Sequence, residues 1–184
     1  MSLLIALKII VEFLEKNKIP YMVIGGIANS ILGEPRQTYD IDIKIKISKK
    51  LDIENTINKL SKISTPLSKN PVKFAEEMRV IPIVIADIKI DIVIAGLEYE
   101  ITAINNSVIK DFDGVKLKVC RTEDLIIQKF VSEREKDWND IRNLIRVNFG
   151  TLDKKYILKN CKEISMWLSD TDSLVRIKKY LNEK

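Results

Sequence analysis

The stretch "TYDIDIKIKI", Thr38 to Ile47, decides the fold. Isoleucine stands at every second place, so Ile41, Ile43, Ile45 and Ile47 share one face of a predicted strand and cover a core. The polar residues between them begin with two aspartates and continue with Lys44 and Lys46. Asp40 and Asp42 therefore point the same way, roughly 6.5 to 7 Å apart along the backbone. Carboxylates this close repel, and without a partner one is driven towards its protonated form. A divalent cation relieves the repulsion, because two anionic oxygens converge on one ion. A plain solvated face with lysines as cross-strand partners is the competing reading of the same pattern.

A second strand repeats it. In "IKIDIVIAG", Ile88, Ile90, Ile92 and Ile94 share one face and Lys89, Asp91 and Val93 the other. If the two strands are neighbours, three carboxylates meet on one sheet face. That is the set a two-metal site needs for in-line phosphoryl displacement. Upstream, "PYMVIGG" reads as a short buried strand ending in Gly25-Gly26, followed by "IANSILG" as a short helix. A glycine pair opening a helix leaves backbone N–H groups where phosphate oxygens bind, and lets a phosphate come close to the main chain.

Composition narrows the chemistry. The 184 residues are 46% hydrophobic and 31% charged, enough for one core domain with a helical appendage. The chain has no histidine, which removes Ser-His triads and the commonest zinc sites and points to a hard cation held by oxygen. Its two cysteines, Cys120 and Cys161, are expected as buried thiols in a reducing compartment. The net charge of +5 permits an anionic partner such as a nucleotide or RNA. Abundant Ile, Lys and Glu with only six glycines suit a thermophile. No apolar run approaches a membrane span, and "MSLLIALKIIVEFLEKNKIP" reads as the first amphipathic helix of a cytoplasmic protein.

Three regions follow. Met1 to about Ser48 holds the first helix, the glycine turn and the aspartate strand. Residues from about Lys49 to Val119 hold a helix over "KKLDIENTINKLSKI", a Pro-containing loop, and two strands turning at Ala86-Asp87. Shorter strand-like pieces in "YEITAI", "SVIKDF" and "VKLKVC" follow, with a hairpin at Asp113-Gly114. From Arg121 the chain is helical: Thr122 is the expected N-cap, a break falls near Arg134 to Asp137, and two shorter helices end near Tyr180. Trp138 and Trp167 read as core. The expected fold class is α/β, a mixed twisted sheet of four to six strands with flanking helices and a helical C-terminal part.

The glycine turn, the D-x-D strand and the third aspartate together resemble the nucleotidyltransferase superfamily, the fold of the polymerase beta palm and of antibiotic nucleotidyltransferases. The resemblance covers roughly Pro20 to Ala95. It implies that Gly25 and Gly26 lie by the phosphates, that Asp40 and Asp42 hold two Mg²⁺ ions, and that Asp91 ligates one and helps activate the incoming hydroxyl. Gly26 stands where many members carry serine. "PRQTYDIDI" and "RTEDLIIQKFVSEREKDWNDI" are similar to the AbiEii-type branch, which includes toxin components of toxin–antitoxin systems. That likeness implies that Lys129 faces nucleotide phosphates and that Asp137 or Asp140 supports the nucleotide site. The default physical account of Lys129, Glu133, Lys136 and Asp140 is instead a salt-bridged helix face. Arg36 reads either as a phosphate contact or as a loop charge.

The resemblance thus implies residues 1–119 as a nucleotidyltransferase core and residues 120–184 as a helical subdomain. It implies an enzyme that moves an NMP from an NTP, ATP among them, to a hydroxyl of tRNA, protein or a small molecule, with a cognate antitoxin as a further partner. The alternatives are a non-catalytic nucleotide-binding or regulatory protein of a toxin–antitoxin or defence pair, and a Mn²⁺-dependent nucleotide-sugar enzyme, for which the Gly-Gly turn and Asp91 have no reason.

Overall fold

The computed structural model describes residues 2–47 and 49–183. Met1, Ser48 and Lys184, at the ends of sequence segments named above, lie outside the described residues. Two compact units appear: Met1–Ala28 with Gln37–Cys120, and Asn29–Arg36 with Arg121–Lys184.

The first unit carries α1 (Ser2–Lys16), β1 (Tyr21–Val23), the start of α2 (Gly25–Leu32), β2 (Asp40–Ile45), α3 (Lys50–Leu60), β3 (Thr65–Pro66), α4 (Pro71–Met78), β4 (Val80–Ile85), β5 (Ile88–Ile94), α5 (Glu98–Asn105), β6 (Val108–Phe112) and β7 (Val115–Val119). The strands form one mixed sheet in the order β3-β4-β5-β2-β1-β7-β6. The pairs β2–β5 and β1–β7 are parallel and the others antiparallel. The isoleucine alternation sets the register, since a slip of one residue would turn every isoleucine outward. Ile41, Ile43 and Ile45 of β2, Ile90, Ile92 and Ile94 of β5, and Ile81, Ile83 and Ile85 of β4 are all buried on one face. Ala6, Leu7, Ile10 and Leu14 of α1 are buried as well, on a helix that packs against β2, β5 and β7. Each such aliphatic contributes about 1.5–3 kcal/mol by leaving water.

Both predicted tight turns are present. Ala86 and Asp87 have φ of 49° and 63°, and Asp113 and Gly114 have 49° and 83°, the doubly left-handed geometry that matches strand twist in a hairpin. Elsewhere the sheet is larger than expected, with seven strands among the described residues, because the Pro-containing loop holds β3 as well as α4. "YEITAI" is helix, not strand. Glu98 and Glu100 favour the first turn, and the Glu100 carboxylate accepts from the backbone N–H of Gly96 at 2.7 Å and Leu97 at 3.0 Å. This tertiary and capping chemistry overrides the β-branched composition.

The second unit consists of α6 (Thr122–Phe130), α7 (Glu135–Val147), α8 (Lys154–Leu168) and α9 (Thr171–Asn182), with the last residues of α2. Arg121 occupies the N-cap position of α6 and Thr122 is already helical, because the Asp124 side chain is buried and takes the Arg121 guanidinium at 2.8 Å. The break after α6 comes earlier than expected, between Phe130 and Glu135, where the indole N–H of Trp138 donates to the Ser132 carbonyl at 3.0 Å. Asp153 and Asp170 cap α8 and α9 by accepting from the N–H of Tyr156 and Ser173. Trp138 is buried edge-on between Phe130 and Tyr180. Trp167 is 74% exposed, contrary to expectation: with Met166 and Leu168 it occupies the last turn of α8, where the helical period runs past the end of its packing partners. Cys120 and Cys161 are both buried and free, and burial pushes the Cys161 thiol up to about 12.

Candidate active site

The parallel pairing of β2 with β5 sets Asp40 opposite Lys89 and Asp42 opposite Asp91. Side chains opposite each other in a ladder share a face, so all three predicted carboxylates stand together on the side of the sheet away from the isoleucines. Asp40 is exposed, and Asp42 and Asp91 are half-buried. On β4 the residues opposite Lys89 and Asp91 are Val84 and Pro82, so β4 adds no charge here.

Further along this face Lys44 is buried against Glu100 of α5, as an ion pair and not as a partner of Asp91. Burial would raise the Glu100 carboxyl, but the Lys44 charge and hydrogen bond, with the N–H groups of Gly96 and Leu97, hold it below its ordinary range. α5 therefore closes one end of the polar face, while the Asp40 end stays open to water.

The glycine turn belongs to the same place. Ile24 donates its N–H to the Asp42 carbonyl at 2.9 Å, which ties the start of α2 to β2. Gly25 has φ +62°, and a Cβ built there would lie 1.9 Å from Asp42 Oδ2. Only glycine allows the backbone and the carboxylate to approach so closely. A Cβ on Gly26 would lie 2.3 Å from the Thr38 hydroxyl oxygen. That hydroxyl donates to Asp40 Oδ1 at 3.0 Å and orients the first carboxylate of the pair.

Lys89 was visible in the sequence as a member of this face, but its use was not. Its Nζ lies 2.7 Å from Asp91 Oδ2. That hydrogen bond, and then the charges of Asp91, Asp40 and Asp42, push the Lys89 ammonium above its ordinary range. The donor set is all oxygen, three carboxylates with a hydroxyl beside them, and fits a hard divalent cation by its chemistry. As the side chains stand, no three acidic, histidine or cysteine groups among the described residues converge closely enough to hold an ion, and Asp91 is engaged by an ammonium.

In the second unit Lys129, Asp137 and Asp140 also come together, all under 8% exposed. Lys129 Nζ donates to Asp137 Oδ1 at 2.7 Å and to Asp140 Oδ2 at 2.8 Å. Arg36 forks onto Asp140 at 3.2 and 3.1 Å, which gives this residue a definite partner. Asp137 further accepts from the Ser132 hydroxyl and Arg134, both at 2.7 Å. Burial acts to raise the Asp137 carboxyl, but the bonds from Lys129, Ser132 and Arg134 pull it down to about 2.

Residues 4–181 match the family described as "Nucleotidyl transferase of unknown function (DUF2204)". No curated protein matches the chain. Among solved structures it is similar to ANT(2'')-Ia in complex with adenylyl-2''-tobramycin, with a TM-score of 0.56 and 17% identity over 90% of this chain and 98% of that one. The lincomycin-bound lincosamide antibiotic adenylyltransferase LnuA gives a TM-score of 0.51 and 19% identity over 76% and 94%. An antigenic nucleotidyltransferase-like protein from Paracoccidioides brasiliensis gives 0.51 and 14% over 92% and 90%. At these identities the likeness is one of fold, an α/β architecture around a mixed sheet.

Proposed function

We propose, on the premise that this chain belongs to the nucleotidyl transferase family matched over residues 4–181 and is thereby a transferase, that it catalyses Mg²⁺-dependent transfer of an NMP from an NTP to an acceptor hydroxyl. The observation that carries this reading is the in-register pairing of Asp42 with Asp91 beside Asp40 and against the glycine turn. Asp40, Asp42 and Asp91 would hold the cation. When bound, it would supply stabilisation of the charge that develops on the transferring phosphoryl group.

The protein's own groups do the rest. Gly25 and Gly26, without side chains, leave room and backbone N–H groups for the phosphates. Thr38 keeps Asp40 aimed. The acceptor oxygen attacks the α-phosphorus, the bond from that phosphorus to the bridging oxygen breaks, and pyrophosphate leaves with the electron pair. Asp91 takes the hydroxyl proton. Lys129, Asp137 and Asp140 are assigned to nucleotide binding on the AbiEii-type likeness of the sequence around them. Residues 1–119 form the catalytic core in this reading and residues 120–184 the helical subdomain. ANT(2'')-Ia and LnuA, named with adenylyl-2''-tobramycin and lincomycin, are precedents for small-molecule acceptors. The AbiEii-type likeness of the sequence supports tRNA or protein acceptors and a toxin–antitoxin setting.

The test is incubation with Mg²⁺ and each α-labelled NTP in turn, with cell RNA, cell protein and aminoglycoside or lincosamide acceptors. Label moving to one of these in the wild type and not in Asp42→Asn establishes the reaction and names donor and acceptor class. Mg-NTP neither bound nor turned over in any combination leaves the non-catalytic alternative standing.

A further inference from the structure

α8 turns a row of lysines away from its own core. Ile157, Cys161, Ile164 and Ser165 face inward and are buried. At 3.6 residues per turn, Lys155, Lys159, Lys162 and Met166 fall within roughly 60° of one another on the opposite side. All four are exposed. On other helices of this chain an exposed lysine meets a glutamate four residues on, as Lys8, Lys73 and Lys179 do. The three lysines of the α8 row form no ion pair among the described residues, although Glu163 stands four residues beyond Lys159. The row ends on Met166 and, at its flank, Trp167, whose side chains stay in water at 71% and 74% exposure. A tryptophan in that position forgoes most of the stabilisation that burial of its ring would bring.

We propose that this row is a docking surface for single-stranded nucleic acid, with the lysines on neighbouring phosphates and the Trp167 indole stacked on an unpaired base. The surface lies wholly within the helical unit, needs neither metal nor nucleoside triphosphate, and stands or falls apart from the transfer reading above. Steps of four and three residues spread the lysines over about 10.5 Å of helix. That is close to the axial length of three phosphates of one strand, at about 3.4 Å each. An ammonium that meets a phosphate releases a condensed counterion, and one without a carboxylate partner has no ion pair to break first. The indole directs the surface to unpaired bases, since stacking needs an open base face and every base has one. A lipid surface fits less well. A helix lying on a bilayer turns its apolar face to the acyl chains, whereas the apolar face of α8 is occupied by the core.

The test is fluorescence anisotropy of a short, unstructured RNA, and of the same sequence as DNA, with the full chain at about 50 to 200 mM salt and no Mg²⁺. Wild type is expected to bind, with log K falling against log salt. The combined variant Lys155→Gln, Lys159→Gln and Lys162→Gln is expected to flatten that slope by about 2, the share of three single-strand phosphate contacts. Trp167→Ala is expected to weaken binding roughly tenfold with the slope unchanged. The matching triple arginine variant keeps the charge and is expected to keep the slope. The RNA and DNA arms show which strand chemistry is preferred, and binding of either supports the proposal. It is overturned if wild type binds neither strand, if the triple glutamine variant keeps the wild-type slope, or if Trp167→Ala keeps the wild-type affinity. Without strand binding, capture by phosphatidylserine vesicles, or a dimer in sedimentation that Trp167→Ala dissolves, overturns it in favour of a lipid or self-association surface. The substituted side chains are all exposed, so the variants are expected to fold, and circular dichroism and melting curves check that directly.

Discussion

Asp91 and Asp140 each accept from a lysine ammonium, at 2.7 and 2.8 Å, yet the two aspartates are held in opposite ways. Asp140 is 6% exposed and shares Lys129 with Asp137 while Arg36 forks onto its other side. Asp91 is 25% exposed, and its lysine is more exposed still. In the helical unit Asp137 and Asp140 each have two cationic partners and are nearly excluded from water, so these groups hold one another in place. On the sheet face Asp91 is held by a flexible, largely exposed ammonium, and Asp40 is exposed to water. A buried, multiply paired cluster holds its groups in a fixed geometry, whereas a half-exposed one can rearrange around what arrives.

Four substitutions or conditions sharpen this contrast or break it. Asp42→Asn carries the largest effect, a fall in transfer rate of roughly a thousandfold, of the order seen when a preorganised electrostatic group is removed. Its melting temperature should stay level or rise slightly, since a repelling charge is lost. A large drop in stability would mean that the open face is a brace after all.

Lys129→Ala should reverse the balance. It takes one cation from two buried carboxylates, which keep Arg36, Ser132 and Arg134, and loss of a partner from a buried pair costs up to about 3–5 kcal/mol. Urea unfolding checks it, and a loss under about 1 kcal/mol would show that the cluster is solvated and adaptable. Gly25→Ala forces a side chain into φ +62° and into the Asp42 carboxylate. A stability loss of about 1–2 kcal/mol is expected, with a larger proportional loss of activity, because the displaced group is the one that matters. Activity loss no greater than the loss of folded protein would separate Gly25 from the chemistry.

The smallest effect is acid sensitivity of the brace. The Asp137 carboxyl is lowered from 3.8 to about 2 in the folded protein, so its contribution is present in full above about pH 4 and is lost as pH falls through about 2. The shift corresponds to on the order of 2 kcal/mol. Asp137→Asn should flatten that part of the stability–pH curve while leaving the part above pH 5 parallel to wild type. An unchanged acid limb would assign it to other carboxylates.

Much of the sheet face was legible because alternation is local: Ile41 to Ile45 and Ile88 to Ile94 declare which residues turn outward without reference to anything else. That Asp42 meets Asp91 was not legible, because a parallel pairing between strands dozens of residues apart has no turn to fix its register. Lys89 was assigned to the correct face but not to Asp91, since alternation gives the side and not the direction in which a long side chain bends. "YEITAI" reads as strand because its β-branched residues outweigh Glu100, whose carboxylate caps the helix with one oxygen and takes Lys44 of β2 on the other. In the helices the i, i+4 and i+11 spacing of Lys129, Glu133 and Asp140 suggested a solvated ladder. Arg36, from the far side of the sequence, helps make part of it an interior.

The two cysteines have a practical consequence. Cys120 and Cys161 are fully buried, out of reach of reagents in water, and burial also pushes the Cys161 thiol up to about 12. The folded chain is therefore expected to react slowly with maleimides. A single cysteine placed at an exposed position such as Trp167 would accept one fluorophore or spin label cleanly, with no need to strip the natural thiols first.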